Sequence, residues 1–190
     1  MQSSFTENRI FEKIDFRDGS LAKGTYEDCR FLNCNFNSVD LSDRTFINCI
    51  FDGCDASLVK LKNTSLQKVK FINSKLLGVQ FNECRQFLLE LDFANCMIKL
   101  SLFSQMKLKN IQFRNCHLQE ADFSETDLTR SLFEHCDLQQ TTFFHTNLEH
   151  ANFTSALNYS INPAINRLRH ARFSIPGVFG LLDTCGIEIE

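Results

Sequence analysis

The chain has 190 residues, with 20 Phe, no Trp, only 2 Pro and 9 Cys, and a formal net charge of −3. That length suits one domain with a sizeable core, and the near-neutral charge argues against a basic nucleic-acid binder or an acidic tail. No apolar run approaches the ~18 residues needed to span a membrane, and the start MQSSFTENRIFEK lacks the regions of a signal peptide, so a cytoplasmic protein is expected.

Residues 1–10 read as a lead-in or N-terminal cap. From 11 to 82 every fifth residue is large and apolar: Phe11, Phe16, Leu21, Tyr26, Phe31, Phe36, Leu41, Phe46, Phe51, Ala56, Leu61, Leu66, Phe71, Leu76 and Phe81. Ala56 alone breaks the rule. Two places before each stands a mostly small residue. Arg44 is the sharpest departure at that small position. An inward charge is costly without a partner, so an outward bend or altered corner is expected there.

The segment 83–92, ECRQFLLELD, shifts the register by two residues. It reads equally as a bulge between two stacks or as a loop projecting from the scaffold. Loops on rigid frameworks often carry function, which makes Arg85, Gln86, Phe87, Leu88, Leu89 and Glu90 a candidate partner-binding loop.

From 93 to 155 the pattern runs without a slip. Phe93, Phe103, Phe113, Phe123, Phe133, Phe143 and Phe153 alternate with Ile98, Leu108, Leu118, Leu128, Leu138 and Leu148 as its expected core. A period of five is neither helical nor that of a simple strand. It requires a repeat architecture.

The period is expected to end after Phe153, leaving 156–190 as a C-terminal cap. Ser174 ahead of Pro176, then Val178, Phe179, Leu181 and Leu182, then Gly186, predicts a short capped helix. Ile187 and Ile189 alternate with Glu188 and Glu190 like a short strand. A solenoid needs such a cap because its last coil exposes apolar side chains and unpaired backbone.

Cys29, Cys34, Cys49, Cys54, Cys96, Cys116 and Cys136 all fall on the small position, Cys84 joins them if the pattern runs one step past Phe81, and only Cys185 lies outside. They read as small hydrophobes rather than as a disulfide framework or metal site. His117, His135, His145, His150 and His170 show no metal-ligand spacing. With no phosphate loop, nucleophile elbow or metalloprotease motif, no enzyme, cofactor, catalytic residue or metal ligand is expected.

Charge is grouped along the chain. Glu120, Asp122, Glu125, Asp127, Glu134 and Asp137 make an acidic stretch opposed only by Arg130, while Lys60, Lys62, Lys68, Lys70 and Lys75 make a basic one. These are solvated faces, or the acids form a surface for a basic partner.

The five-residue register over 11–153 resembles that of the pentapeptide repeat proteins. The resemblance implies an all-β fold, a right-handed quadrilateral β-helix in which four pentapeptides make one square coil and residues twenty apart stack. About seven coils at ~4.8 Å give a rod on the order of 35 Å long. Asn162-Pro163, Ile165-Asn166-Arg167 and Leu181-Leu182 … Gly186-Ile187 also look like the C-terminal segments of the quinolone-resistance (Qnr-type) and microcin-immunity group. That likeness implies a non-enzymatic, DNA-mimic-like rod that binds DNA gyrase or topoisomerase IV and protects it from poisons, without binding nucleic acid itself. It also implies a homodimer in which Val178, Phe179, Leu181 and Leu182 are the candidate contacts. The alternative is a scaffold for another protein, without a topoisomerase role.

Overall fold

Every fifth residue points inward because the chain turns a corner after each short extended segment, and the residue that makes the corner is left-handed. That residue sits two places after each large apolar one: Asn95, Leu100, Gln105, Asn110, Asn115, Glu120 and Glu125 in succession all have φ between 51° and 62°. Asn is common there because it tolerates this conformation better than other non-glycine residues. Four segments close one square coil. The computed structural model describes residues 4–19 and 21–187, and they form a four-sided parallel β-helix with a short helical cap at the C-terminal end.

One face carries the longest sheet: β2 (Ile10–Glu12), β4 (Arg30–Leu32), β6 (Ile50–Asp52), β8 (Val69–Ile72), β9 (Leu91–Ala94), β10 (Gln112–Arg114) and β11 (Leu132–Glu134), in that spatial order. Following the chain from this first face, the second and third are joined by isolated parallel bridges such as Met97↔His117 and Leu102↔Asp122. The fourth face begins with β1 (Ser4–Glu7), β3 (Gly24–Glu27), β5 (Thr45–Ile47) and β7 (Ser65–Gln67). Residues 4–7 are thus part of the helix rather than a lead-in. Met1–Ser3 lie outside the described residues.

The core is a set of columns. On the first face Phe11, Phe31, Phe51, Phe71, Phe93, Phe113, Phe133, Phe153 and Phe173 stack ring on ring at 4.6–5.4 Å. The Arg9 guanidinium, 5.2 Å from the Phe11 ring, covers the outer end. On the third face Phe81, Phe103, Phe123 and Phe143 stack likewise and meet the first column edge-on. Offset stacks and edge-to-face pairs are the two arrangements aromatic quadrupoles favour. Where Ala56 interrupts the second column, an apolar cavity of about 10 Å³ remains, walled by side chains including Phe51, Leu76 and Phe81.

The small position often does more than fill space. Where a donor stands there, its side chain commonly bonds the carbonyl of the large residue 23 places earlier, whereas Val59, Val69, Ala121 and Ala151 serve by size alone. Cys34 bonds Phe11 O, Cys54 bonds Phe31 O, Thr64 bonds Leu41 O, Thr126 bonds Phe103 O and Thr146 bonds Phe123 O. Across the two-residue insertion the interval becomes 25, as in Cys96 to Phe71 O and Ser101 to Leu76 O. Cys, Ser and Thr interchange here because each is small and can donate.

Arg44 obeys the same rule, which corrects the expected outward bend. Its side chain points inward and is only 4 % exposed. The guanidinium donates to Leu21 O, 23 residues back, from Nη2 at 2.5 Å, and to Asp40 O at 2.9 Å and Ser42 O at 3.2 Å from Nη1. Three backbone carbonyls replace water around the charge, which makes burial tolerable.

The stack also runs one coil further than the period predicts. Asn147 pairs with Arg167 and Asn152 with Arg172, Leu168 packs on the core, and Phe173 completes the first column. The period is hidden because Asn158 and Pro163 occupy the large positions. Tyr159 and Ile161 turn inward instead. Beyond them Pro176–Leu181 and Asp183–Cys185 form 3-10 turns, with Gly177 N donating to Ser174 Oγ at 3.1 Å and Gly186 left-handed at the end. Of the expected strand Ile187–Glu190, residues 188–190 lie outside the described residues.

Candidate functional site

The register break is resolved as a bulge within one continuous stack, and the bulge lifts an apolar pair into solvent. Pairing is regular up to Arg85, whose N donates to Thr64 O, and is regained where Val69 meets Leu91. Between them Gln86 lies on the fourth face, at the position of a large apolar residue. Its side-chain amide stands in for a peptide unit, donating to Gln105 O at 3.2 Å and accepting from Lys107 N at 3.3 Å. Leu89 turns back and packs on the core, while Phe87 is 78 % exposed and Leu88 is left-handed and also exposed. Arg85 is anchored by its Nε bond to Asn63 Oδ1 at 2.7 Å, and Glu90 closes the loop through its N–H to Leu66 O. Of the six candidate residues, only Phe87 and Leu88 offer apolar surface to a partner.

The cap offers a second apolar surface. Val178 and Phe179 are exposed, Leu182 is half-buried, and Leu181 packs partly on the core. Ile175, 89 % exposed, belongs to the same patch. Sequence reasoning passed over it because it precedes the helix. Gly177 and Gly180 let this segment lie against Tyr159, since a Cβ at either would sit 2.1 Å from a Tyr159 oxygen.

The acidic residues do not share a face. Glu134 is on the first face, Asp137 on the second, Asp122 on the third and Asp127 on the fourth, with Glu120 and Glu125 at corners between. The lysines are similarly spread: Lys70 on the first face, Lys75 on the second, Lys60 and Lys62 on the third, Lys68 at a corner. Each group therefore forms a belt around the rod rather than a stripe along it. Several acids are also engaged locally. Asp127 pairs with Lys109 at 3.3 Å and accepts from Thr129, Glu134 and Asp92 flank Arg114, and Asp137 accepts from Asn158 at 2.8 Å. Burial works against ionisation of Asp127, but the hydrogen bonds from Thr129 and Lys109 outweigh it and hold its carboxyl below the ordinary value.

The histidines and cysteines assemble no metal centre among the described residues. His135, His145 and His150 stand at left-handed corners, and His150 stacks on His170 at 4.9 Å. Eight cysteines are buried and Cys185 is exposed. Burial pushes the Cys49, Cys54 and Cys84 thiols up to about 12, which removes the reactive thiolate at neutral pH. Titration of the native protein with a thiol reagent is therefore expected to modify Cys185 alone, and all nine cysteines only after denaturation. Rapid modification of several thiols in the native state would contradict the buried ladder.

Two further exposed apolar residues escaped the sequence reading. Leu58 and Leu100 occupy left-handed corners and are 58 % and 54 % exposed. The available signal was an apolar side chain at an outward position of the repeat that is otherwise mostly polar.

Among the described residues no helix is long and apolar enough to cross a membrane. No curated protein matches the chain by sequence. Among solved structures it is similar to full-length QnrB1, a plasmid-mediated fluoroquinolone resistance protein, with a TM-score of 0.58 and 14 % identity over 97 % of this chain and 100 % of that one. It is also similar to HetL, a pentapeptide repeat protein involved in heterocyst differentiation regulation from the cyanobacterium Nostoc sp. strain PCC 7120, with a TM-score of 0.43 and 15 % identity over 92 % of this chain and 86 % of that one. The family profile described as "Pentapeptide repeat region" matches residues 24–87, 66–153 and 106–174. With that profile spanning most of the chain, and four pentapeptides closing each stacked coil, this protein belongs to the pentapeptide repeat family.

Proposed function

We propose that this chain is a non-enzymatic, protein-binding rod whose partner is a type II DNA topoisomerase, gyrase or topoisomerase IV, which it shields from quinolone-type or microcin-type poisons. The carrying observation is the bulge at 86–89, where a rigid stack sets Phe87 and Leu88 out into solvent. Ordered apolar side chains on an immobile frame lose little entropy on binding and make effective anchors. The choice of partner rests on the resemblance to the Qnr-type group and on the full-length likeness to a fluoroquinolone resistance protein. The rod works as a homodimer, with Ile175, Val178 and Phe179 of two copies covering one another at the C-terminal end. DNA mimicry is confined to the acidic belt at 120–137, and shape and the loop supply the rest of recognition.

The belts favour a second reading. A mimic of duplex DNA needs negative charge along its length, about one per ~1.7 Å, whereas here acids and lysines encircle the rod in turn. A scaffold for another protein needs no such stripe.

DNA supercoiling by purified gyrase in the presence of a fluoroquinolone, titrated with this protein, tests the proposal. Rescue of supercoiling is expected, and the Phe87→Ser/Leu88→Asn double variant should need about tenfold more protein for the same rescue. No rescue up to tens of micromolar transfers the assignment to the scaffold reading. Light scattering should give twice the 22.0 kDa chain mass, and Phe179→Asp should return it to the monomer value. A monomer for wild type at micromolar concentration removes the dimer.

A further inference from the structure

The corner between the second and third faces carries a feature that neither the bulge nor the cap explains. Leu58 (φ 56°) and Leu100 (φ 60°) stand two coils apart in one column, with Gly78 (φ 64°) between them. A left-handed leucine is strained, and an exposed one forgoes burial. Asn would be better at both positions on both counts. The Leu58 side chain reaches over Gly78, where an added Cβ would meet its Cδ2 at 2.9 Å. Half-buried Leu77 and Leu102 flank the column, and a cleft of about 280 Å³ opens beside it, lined by Leu58, Val59, Lys60, Gly78, Gln80 and Glu83.

The rim is basic. Lys60, Lys62 and Lys75 are exposed, Lys99 is half-buried, and among the described residues none of the four forms an ion pair. Asp40 and Asp55, the bridge partners of Lys60 and Lys75, are turned onto the backbone N–H groups of Ser42 and Ser57, and the basic surface ends one coil beyond Leu100, where exposed Glu120 takes the same corner. Glu83 is the single acid lining the cleft. Two coils separate the leucines by ~10 Å at the spacing of parallel strands, which matches residues i and i+7 of an α-helix at 1.5 Å rise per residue.

We propose that this corner is a second docking surface, and that its occupant is an acidic amphipathic helix of a partner protein lying along the rod. Apolar side chains at i and i+7 pack on Leu58 and Leu100, the one at i+4 sits over Gly78, and flanking carboxylates meet the four lysines. Strain is retained at both leucines because the side chains serve the partner rather than the fold.

The test uses a fluorescein-labelled helical peptide with leucines at i, i+4 and i+7 and glutamates on the flanks, followed by fluorescence polarisation. Binding with a dissociation constant on the order of 10 μM is expected, with none for a peptide carrying lysine in place of glutamate. The Leu58→Asn/Leu100→Asn variant should bind about tenfold more weakly yet melt roughly 2–4 °C higher. That opposition separates a binding role from a structural one. Lys60→Glu/Lys75→Glu should also weaken binding. Absence of binding at about 1 mM, equal binding of the lysine peptide, or indifference to the asparagine pair would overturn the proposal. So would sedimentation with phosphatidylserine-containing vesicles that the asparagine pair abolishes, since the surface would then serve a membrane.

Discussion

Phe123→Ala is expected to destabilise the protein by about 3–5 kcal/mol and to lower its melting temperature by roughly 10 °C. Phe123 is fully buried, stacked on Phe103 at 4.8 Å and Phe143 at 5.6 Å, and edge-on to Phe113 at 5.8 Å and Phe133 at 6.0 Å. Truncation removes all four ring contacts at once. The surroundings cannot collapse into the void, because each coil is tied to both neighbours by backbone hydrogen bonds, such as Phe123 N to Thr142 O and Asp122 N to Ser101 O. Cost rises with the volume that stays empty. Phe11→Ala should cost much less, since that ring stacks on a single neighbour in its column, Phe31. Denaturant melts followed by circular dichroism measure both. A Phe123→Ala curve superimposed on wild type would mean that the column assignment is wrong.

The second large effect is expected at Arg44. Arg44→Ala should cost about 3 kcal/mol, because it strips the donor from the buried Leu21 carbonyl and from the part-buried carbonyls of Asp40 and Ser42. Arg44→Thr should recover part of that loss. Thr64, one coil later in the same column, donates to Leu41 O at 2.9 Å, and a threonine hydroxyl at 44 meets the same geometry at Leu21 O. The carbonyls of Asp40 and Ser42 stay unpaired in both variants. The expected order of stability is wild type, then Arg44→Thr, then Arg44→Ala. Equal stability of all three would show that the guanidinium contributes nothing to the corner.

These two residues mark the boundary between what was legible and what was not. Phe123 was placed in the core by periodicity alone, and its stacking on residues twenty away followed from the family resemblance. Arg44 was misread because burial of a charge depends on acceptors that the sequence does not reveal as acceptors. The rule that explains it, a small-position donor reaching a carbonyl 23 residues earlier, links atoms in adjacent coils and appears only once the coils are stacked. Substitution at the large positions hid the last coil, since Asn158 and Pro163 conceal that Tyr159 and Ile161 take over the inward role. The candidate sites divide in the same way. The segment 83–92 was recognisable as an interruption, but which of its residues face out was decided by Gln86 mimicking a peptide unit and by Leu89 turning inward.

By itself the sequence determined the inward columns, the corners and the architecture. Each coil repeats one local conformation, so a local period carries the global shape. Tertiary structure alone decided how charge is distributed in space. Stretches that look like blocks along the chain become belts around the rod, because twenty consecutive residues visit all four faces. It alone also decided which apolar residues stay in solvent. Leu58, Phe87, Leu100 and Ile175 are exposed because of the corner, bulge or chain end where each stands, and burial depends on what packs against a residue.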